Sequence, residues 1–209
     1  MTTKLGVYNG ALRLCKERKL ASLTENREPR RLLDDAWDGS VRKCLQMGQW
    51  TFGTRTQMLT YSPSVEPDFG YRRAFDQPED MIRVTAICSD EYFRCPLLEY
   101  ADERHYWYCD LDVIYVRFVS SHVDYGLDLS LWPESFVQYL QADLAEEIVG
   151  NLTGADPDKV EKKCKTAKRQ ALSLDAMNKP TAFPPPGSWN LARGDFHRWD
   201  RGNRHRLIG

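Results

Sequence analysis

The spacing of apolar residues changes twice along this chain of 209 residues. Toward both ends, apolar residues recur every three or four positions, which is the spacing of an α-helix with one buried face. Between these portions the chain consists of short aromatic and β-branched runs bounded by Pro, Gly or Asp, a pattern typical of β-strands. The pattern therefore predicts an α+β fold, with an antiparallel β region inserted between two pairs of helices that form a four-helix core.

Four helices are predicted from the apolar spacing. They run from about Thr3 to Lys16, from Pro29 to about Trp50, from Pro133 to Gly150 and from Pro157 to about Leu174. Their apolar faces consist of Val7, Ala11 and Leu14; Leu33, Trp37, Val41 and Cys44; Phe136, Leu140, Leu144 and Ile148; and Val160, Cys164, Ala167, Ala171 and Leu174. A proline at three of the four starts suits a first helical turn, where its missing N–H costs no hydrogen bond.

Six strands are predicted in the middle of the chain. They are Thr51–Tyr61, Tyr71–Phe75, Met81–Ile87, Phe93–Tyr100, His105–Cys109 and Val113–Val119. Ile82, Val84 and Ala86 alternate with polar residues, as expected for a half-buried strand. The last two strands flank Asp110–Asp112, which predicts a hairpin loop between them. Residues 1–50 and 132–179 are thus assigned to the helical core, and residues 51–131 to the β insertion.

Residues 180–209 differ in composition from everything before them. The consecutive prolines Pro184–Pro186 rule out a helix there, so we expect an extended arm. The arm is rich in aromatic residues and arginine, the types most enriched at the centres of protein interfaces. Its candidate binding residues are Phe183, Trp189, Arg193, Phe196, Arg198, Trp199, Arg201, Arg204 and Arg206. This composition indicates a segment that docks onto another protein, and hence an assembly protein.

Charge is distributed unevenly between the arm and the rest of the chain. The arm carries five arginines and two aspartates, or +3, and the whole chain has a formal charge of -1, which leaves -4 for residues 1–179. A basic arm on a mildly acidic body suits an arm that binds an acidic partner or a neighbouring copy. The same arginines and aromatic rings also suit DNA, through phosphate contacts and base stacking. A DNA-binding accessory protein is therefore the alternative hypothesis.

Motifs for catalysis or cofactor binding are not recognisable, so we expect no enzyme activity, no cofactor and no metal. The six cysteines are scattered without metal-ligand spacing and are expected to be free thiols that pack as small apolar residues. Carboxylates cluster in the predicted loops at Asp90, Glu91, Asp102, Glu103, Asp110 and Asp112. They could serve a metal-dependent nuclease, but solvated loop residues are the simpler interpretation. No apolar run approaches the roughly 18 residues that cross a bilayer, so no membrane partner is expected.

Taken in order, nine segments resemble the head-to-tail adaptor family of double-stranded DNA bacteriophages, which includes tail tubular protein A of short-tailed phages. The segments are Tyr8–Leu14, Leu20–Thr24, Arg31–Asp38, Gly48–Phe52, Phe69–Phe75, Gln77–Val84, Ile114–Phe118, Trp132–Phe136 and Ala142–Ala145. No single segment is specific, and the resemblance rests on their order and spacing over roughly residues 5–180.

The resemblance implies a structural virion protein without catalysis. Such adaptors form a ring, usually dodecameric, beneath the portal protein, and they are assembled in the host cytoplasm and located in the neck of the virion. The ring extends the channel, through which double-stranded DNA passes without sequence-specific contact, and it provides the platform for the tail. The implied partners are the portal, neighbouring copies of the chain and the next tail or nozzle protein. The helices would form the ring wall, and the β insertion would face the next tail component.

Overall fold

A computed structural model of the chain describes residues 2–68, 70–152 and 154–179. The helices are α1 (Lys4–Leu14), α2 (Glu28–Gln46), α3 (Glu134–Ile148) and α4 (Pro157–Asn178), with a 3-10 turn at Val149–Asn151. The strands are β1 (Thr54–Thr60), β2 (Arg73–Asp76), β3 (Met81–Cys88), β4 (Ala101–Glu103), β5 (Tyr106–Cys109) and β6 (Val113–Ser120). The structure confirms the predicted α+β class, with helices on either side of an inserted antiparallel β region. The arm predicted at residues 180–209 lies outside the described residues.

Helix α3 lies at the centre of the helical core and packs against α1, α2 and α4. Its predicted apolar face is correct, since Phe136, Leu140, Leu144 and Ile148 are all buried. The prediction for the end of α4 was wrong, because Leu174 is 49% exposed. One helical turn after Ala171 the inward position belongs to Asp175, whose Oδ1 accepts a hydrogen bond from the backbone N–H of Thr51 at 3.0 Å. Leu174 therefore lies on the flank of the helix.

Two three-stranded antiparallel sheets make up the β region. One has the strand order β1-β6-β3 and the other the order β2-β5-β4. Apolar side chains from both sheets form a second core, which is separate from the helical one. Its buried members are Phe75, Ile87, Trp107, Cys109, Ile114, Val116 and Phe118. The sheets therefore pack face to face, and β6 is the central strand of the first sheet.

Strand β6 contributes side chains to both cores. Ile114, Val116 and Phe118 face the second sheet, while Val119 belongs to the core formed by the helices. Successive side chains of a strand point to opposite faces, so neighbouring residues of one strand can serve two cores. This strand therefore links the β region to the helices.

The predicted hairpin across Asp110–Asp112 was wrong. Strand β5 pairs with β2 and β4, whereas β6 pairs with β1 and β3, so the short connection crosses from one sheet to the other. Trp107 and Ile114 both point into the space between the sheets, which requires their strands to face each other. The crossing is held by Asp110 Oδ1, which accepts from the Arg72 backbone N–H at 3.0 Å, and by Asp112, which accepts from Arg73 Nε at 2.9 Å.

The strand predicted over Phe93–Tyr100 is a loop, and the short strand β4 follows it. Pro96 cannot donate to a sheet and makes only an isolated bridge to Cys88. Phe93 has a left-handed backbone with a φ of 55°. The Asp90 carboxylate accepts hydrogen bonds from the backbone N–H groups of Arg94 and Cys95 at 3.0 and 2.7 Å. These contacts form a turn that competes with strand pairing.

Four aromatic residues join the two ends of the β insertion. The ring of Phe136 at the start of α3 lies 4.9 Å from Trp50, 4.8 Å from Phe52 and 5.2 Å from Trp132, measured between centroids. Trp50 and Phe52 precede the first strand, and Trp132 follows the last one. The chain thus leaves and re-enters the helical core at one aromatic cluster. The β insertion therefore does not interrupt the packing of the four helices.

Backbone packing beside this cluster requires a glycine at position 126. A Cβ atom there would overlap the carbonyl oxygen of Ser120, which belongs to the main chain and cannot rotate away. The carbonyl oxygen of Gly126 also accepts the indole N–H of Trp132 at 2.9 Å. The close approach of these segments fixes where the loop after β6 returns to α3.

A carboxylate at the start of β3 ties the three strands of the first sheet together. Asp80 accepts hydrogen bonds from Arg55 of β1 at 2.8 Å and from the Ser120 hydroxyl at the end of β6. Its backbone carbonyl accepts from the Ser121 N–H at 2.7 Å. Burial raises the pKa of Asp80, but the hydrogen bonds from Ser120 and Arg55 outweigh it and hold the pKa below its ordinary value of 3.8.

Replacing Asp80 with asparagine is expected to lower the free energy of unfolding at pH 7 by about 1–3 kcal/mol, since charged hydrogen bonds are lost. The folded pKa lies below the unfolded one, so this contribution is present above pH 3.8 and is lost as the pH falls below it. Urea unfolding at pH 7 and pH 3 should show the difference between wild type and Asp80→Asn shrinking in acid. Asp76→Asn, on an exposed carboxylate of the same region, is the control. A difference independent of pH would contradict the assignment.

Candidate interaction surfaces

The nine predicted binding residues of the arm, from Phe183 to Arg206, all lie outside the described residues. The structure therefore does not place them, and their role stays a prediction from the sequence. The candidate surfaces that the structure does describe lie on α2, on α4 and on the loop that follows β3.

Four of the six carboxylates considered for a nuclease have local hydrogen-bond partners. Asp90 holds the turn before Pro96, and Asp110 and Asp112 hold the crossing between the sheets. Asp102 accepts from Gln77 Nε2 at 2.7 Å. Within the described residues, none of these carboxylates belongs to a group of three ligands close enough to share a metal ion. The prediction that Asp102 and Glu103 lie in a loop was wrong, because both belong to strand β4. Asp90, Asp110 and Asp112 are loop residues that stabilise turns.

An apolar groove lies between α2 and the segment that precedes α3. It has a volume of about 370 Å³, and its lining residues are Trp37, Asp38, Val41, Arg42, Leu45, Ile82, Ser121, Leu127, Leu129 and Trp132. The indole rings of Trp37 and Trp132 stack at 6.2 Å between centroids. Trp132 is buried and Trp37 is partly exposed. A partly exposed indole beside one acidic and one basic side chain suits contact with another polypeptide.

The loop after β3, residues 89–100, presents apolar side chains to solvent. Tyr92 is 70% exposed and Leu98 is 86% exposed. The loop is nevertheless well structured, because Asp90 caps its turn and the Arg117 guanidinium lies 4.1 Å from the centre of the Phe93 ring. The backbone N–H groups of Arg94 and Cys95 stabilise the charged form of Asp90 and lower its pKa. An ordered loop that exposes large apolar side chains is a candidate contact site.

The outer face of α4 is basic. Lys159 pairs with Asp156 and Lys165 pairs with Glu161, while Lys162, Lys163 and Arg169 are exposed and form no ion pair with any described residue. A second groove, of about 390 Å³, runs beside them and is lined by Arg13, Leu14, Gln138, Gln141, Ala142, Lys162, Lys163, Thr166, Ala167 and Gln170. Its cations, amides and hydroxyl could bind an acidic or polyanionic partner.

A polar cluster around one buried carboxylate, that of Asp143, lies where α2, α3 and α4 meet. Lys43 Nζ lies 2.9 Å from Asp143 Oδ1 and 3.0 Å from Glu147 Oε1. Burial lowers the pKa of Lys43, but its hydrogen bonds and ion pairs with these two carboxylates outweigh that effect and raise it. Asp143 is 1% exposed, so the lysine compensates a charge that would otherwise be costly to bury.

Two thiols border the same cluster. Burial, and to a lesser extent the carboxylate of Glu146, raises the pKa of Cys164 to about 12. Burial is also the main cause that raises the pKa of Cys44, and the carboxylate of Asp143 adds to it. Both thiols are therefore protonated at neutral pH. Five of the six cysteines are buried, which agrees with the expected packing role, and Cys95 is exposed.

Neither groove was predicted from the sequence, and neither was the polar cluster around Asp143. The lysines of α4 are visible in the sequence as a charged helix face, but the groove beside them depends on how α1 and α3 pack. Asp143 and Glu146 read as ordinary polar positions, although their spacing of three places them on one side of α3. Only the position of α4 reveals that this side is buried.

No helix within the described residues is both long and apolar enough to cross a bilayer. Comparisons of the chain with protein-family profiles and with curated protein sequences found no match.

Proposed function

We propose that the chain is a head-to-tail adaptor of a double-stranded DNA bacteriophage. In this proposal it forms a ring, usually dodecameric in such proteins, beneath the portal in the neck of the virion. The ring extends the DNA channel and serves as the platform for the next tail or nozzle protein. The support is the ordered series of segments that resemble this family, together with the helix–strand–helix organisation that such a subunit requires.

The observation that carries the proposal is the separation of two candidate contact surfaces. Ile82, near the start of β3, lines the groove beside α2. The loop with Tyr92 and Leu98 follows the other end of that strand, about 20 Å further along at the usual rise of a strand. A closed ring repeats one contact between different faces of the subunit and needs further surfaces for partners above and below. A subunit with contact sites on both its helical and its β portions meets this need.

In this arrangement the groove on α2 contacts a neighbouring copy, and the apolar loop contacts the next tail component. The arm residues predicted to bind, including Trp189 and Trp199, contact the portal or a neighbour. DNA passes through the channel without sequence-specific contact. Individual contacts can be weak, because each subunit of a closed ring makes the same contacts and the overall affinity of the ring for the portal rises with their number.

The test is to mix the purified chain with the portal protein encoded in the same genome and to image the mixture by negative-stain electron microscopy. We expect an additional ring on the portal, with co-sedimentation of both proteins. Portal particles that stay bare at saturating concentrations of the chain would contradict the proposal.

The second candidate is a DNA-binding accessory protein, and the basic face of α4 is the observation that favours it. Binding through lysines and arginines would weaken steeply with salt, because cations bound to the phosphates are released. A gel-shift titration at two salt concentrations separates the candidates. The double variant Lys162→Glu/Lys163→Glu should reduce the shift, whereas Lys19→Glu in the exposed α1–α2 connection should leave it nearly unchanged. Absence of any shift at low salt eliminates this candidate.

A further inference from the structure

We propose that Asp143 and Glu146 of α3 and Cys164 of α4 bind a Zn²⁺ ion between the two helices. One ligand atom from each of these side chains lies within 4.8 Å of the other two. Ligands about 2.0–2.3 Å from one tetrahedral zinc ion are about 3.3–3.8 Å apart. Side-chain movements on the order of 1 Å would therefore bring the three atoms into coordination.

An independent observation concerns the second oxygen of Asp143. Oδ1 accepts from Lys43, but Oδ2 is buried and has no hydrogen-bond partner among the described residues. A buried carboxylate oxygen without a partner is costly, and native structures rarely leave one so. A cation bound to Oδ2 removes this cost without displacing the lysine from Oδ1.

The charges around the site also favour a divalent cation. Three carboxylates, those of Asp143, Glu146 and Glu147, belong to this cluster, and Lys43 pairs with the first and the last of them. The ammonium group of Lys165 also lies near Glu146, but it forms its ion pair with Glu161 outside the cluster. Lys43 has an alternative partner in Glu147, which it already contacts at 3.0 Å. A bound divalent ion therefore brings the cluster closer to neutrality while every existing ion pair is kept.

The types of ligand select zinc over the common alkaline-earth ions. Mg²⁺ and Ca²⁺ bind almost entirely through oxygen, whereas a thiolate with carboxylates suits Zn²⁺. On binding, the S–H bond of Cys164 breaks, the sulfur keeps the electron pair and coordinates the ion, and the proton leaves to solvent. No oxidant or reductant takes part. The ion joins α3 to α4, so binding should stabilise the fold.

The test uses the full chain, reduced and freed of metal, and titrates it with Zn²⁺ and with Co²⁺ as a spectroscopic substitute. We expect one ion per chain, a rise in the unfolding temperature and, with Co²⁺, a thiolate-to-metal charge-transfer band in the near ultraviolet. Cys164→Ala should abolish the band. Cys95→Ser, which alters the exposed cysteine outside the cluster, should keep both the band and the stoichiometry.

A wild-type chain without stoichiometric binding, or a band that persists in Cys164→Ala, would overturn the proposal. If circular dichroism shows that Cys164→Ala does not fold, Glu146→Gln takes its place, since Glu146 is partly exposed. That variant should bind Zn²⁺ at least tenfold more weakly, and undiminished affinity in it would equally overturn the site. Binding by the portal plays no part in these measurements, so the outcome is independent of the proposed adaptor function.

Discussion

Replacing Trp50 with alanine is expected to lower the free energy of unfolding by about 3–5 kcal/mol, the range for a large aromatic side chain removed from a core. Trp50 is completely buried and lies beside the rings of Phe136, Phe52 and Tyr139. Its indole N–H donates to the carbonyl oxygen of Cys44 at 2.9 Å, so the truncation also removes a buried hydrogen bond and leaves that oxygen with only the backbone N–H of Met47. Because this residue stands where the β insertion joins the helices, the loss should affect both.

Urea unfolding followed by circular dichroism measures this effect. Trp50→Phe keeps most of the ring contacts and loses the hydrogen bond, so its loss should be smaller, about 1–2 kcal/mol. The matched control is Tyr92→Ala, in which an aromatic ring that is 70% exposed is removed, and its effect should stay within about 0.5 kcal/mol. Equal unfolding midpoints for Trp50→Ala and Tyr92→Ala would mean that the aromatic cluster does not hold the insertion.

Removal of residues 181–209 is expected to abolish binding to the portal while the remaining chain stays folded. Every buried apolar residue of the two described cores lies between Val7 and Ala171, so the deletion removes none of them. The deletion does remove all nine aromatic and arginine residues predicted to bind. Co-sedimentation with portal measures the binding, and the unfolding midpoint of the truncated chain measures its stability.

Single substitutions refine this prediction. Trp189→Ala and Trp199→Ala should each weaken binding by about 2 kcal/mol or more, roughly thirtyfold in Kd, the usual scale for a tryptophan at the centre of an interface. Asn190→Ala, a polar neighbour in the same segment, should have little effect. Undiminished affinity of the truncated chain for portal would show that the described surfaces, and not the arm, carry the contact.

The helices were predictable because burial on one side imposes a period that single residues such as Phe136 and Leu140 display directly. Strand pairing was not predictable in the same way. The alternation around Trp107 and Ile114 identifies which side chains are buried, but it carries no information on which strand lies alongside. Hairpin pairing and sheet-to-sheet packing both bury these residues, and the choice between them depends on β2 and β3, which are distant in sequence.

The candidate surfaces also include some residues that could be predicted from the sequence and others that could not. The arginines and tryptophans of the arm could be singled out from the sequence, because residues of these types are concentrated in one segment. A site formed by residues that are distant in sequence could not be recognised in this way, and Cys164 is the clearest case. Its place on the apolar face of α4 correctly predicted burial, yet nothing in the spacing indicates that Asp143 of α3 lies beside it.

The position of β6 has a consequence for folding. Phe118 and the next residue, Val119, are buried in different cores. A slip of one residue relative to β1 or β3 would exchange the two faces, so that both cores would lose an apolar side chain together. A misaligned pairing of this strand thus destabilises both cores. This should favour a single register of β6 before either core is fully formed.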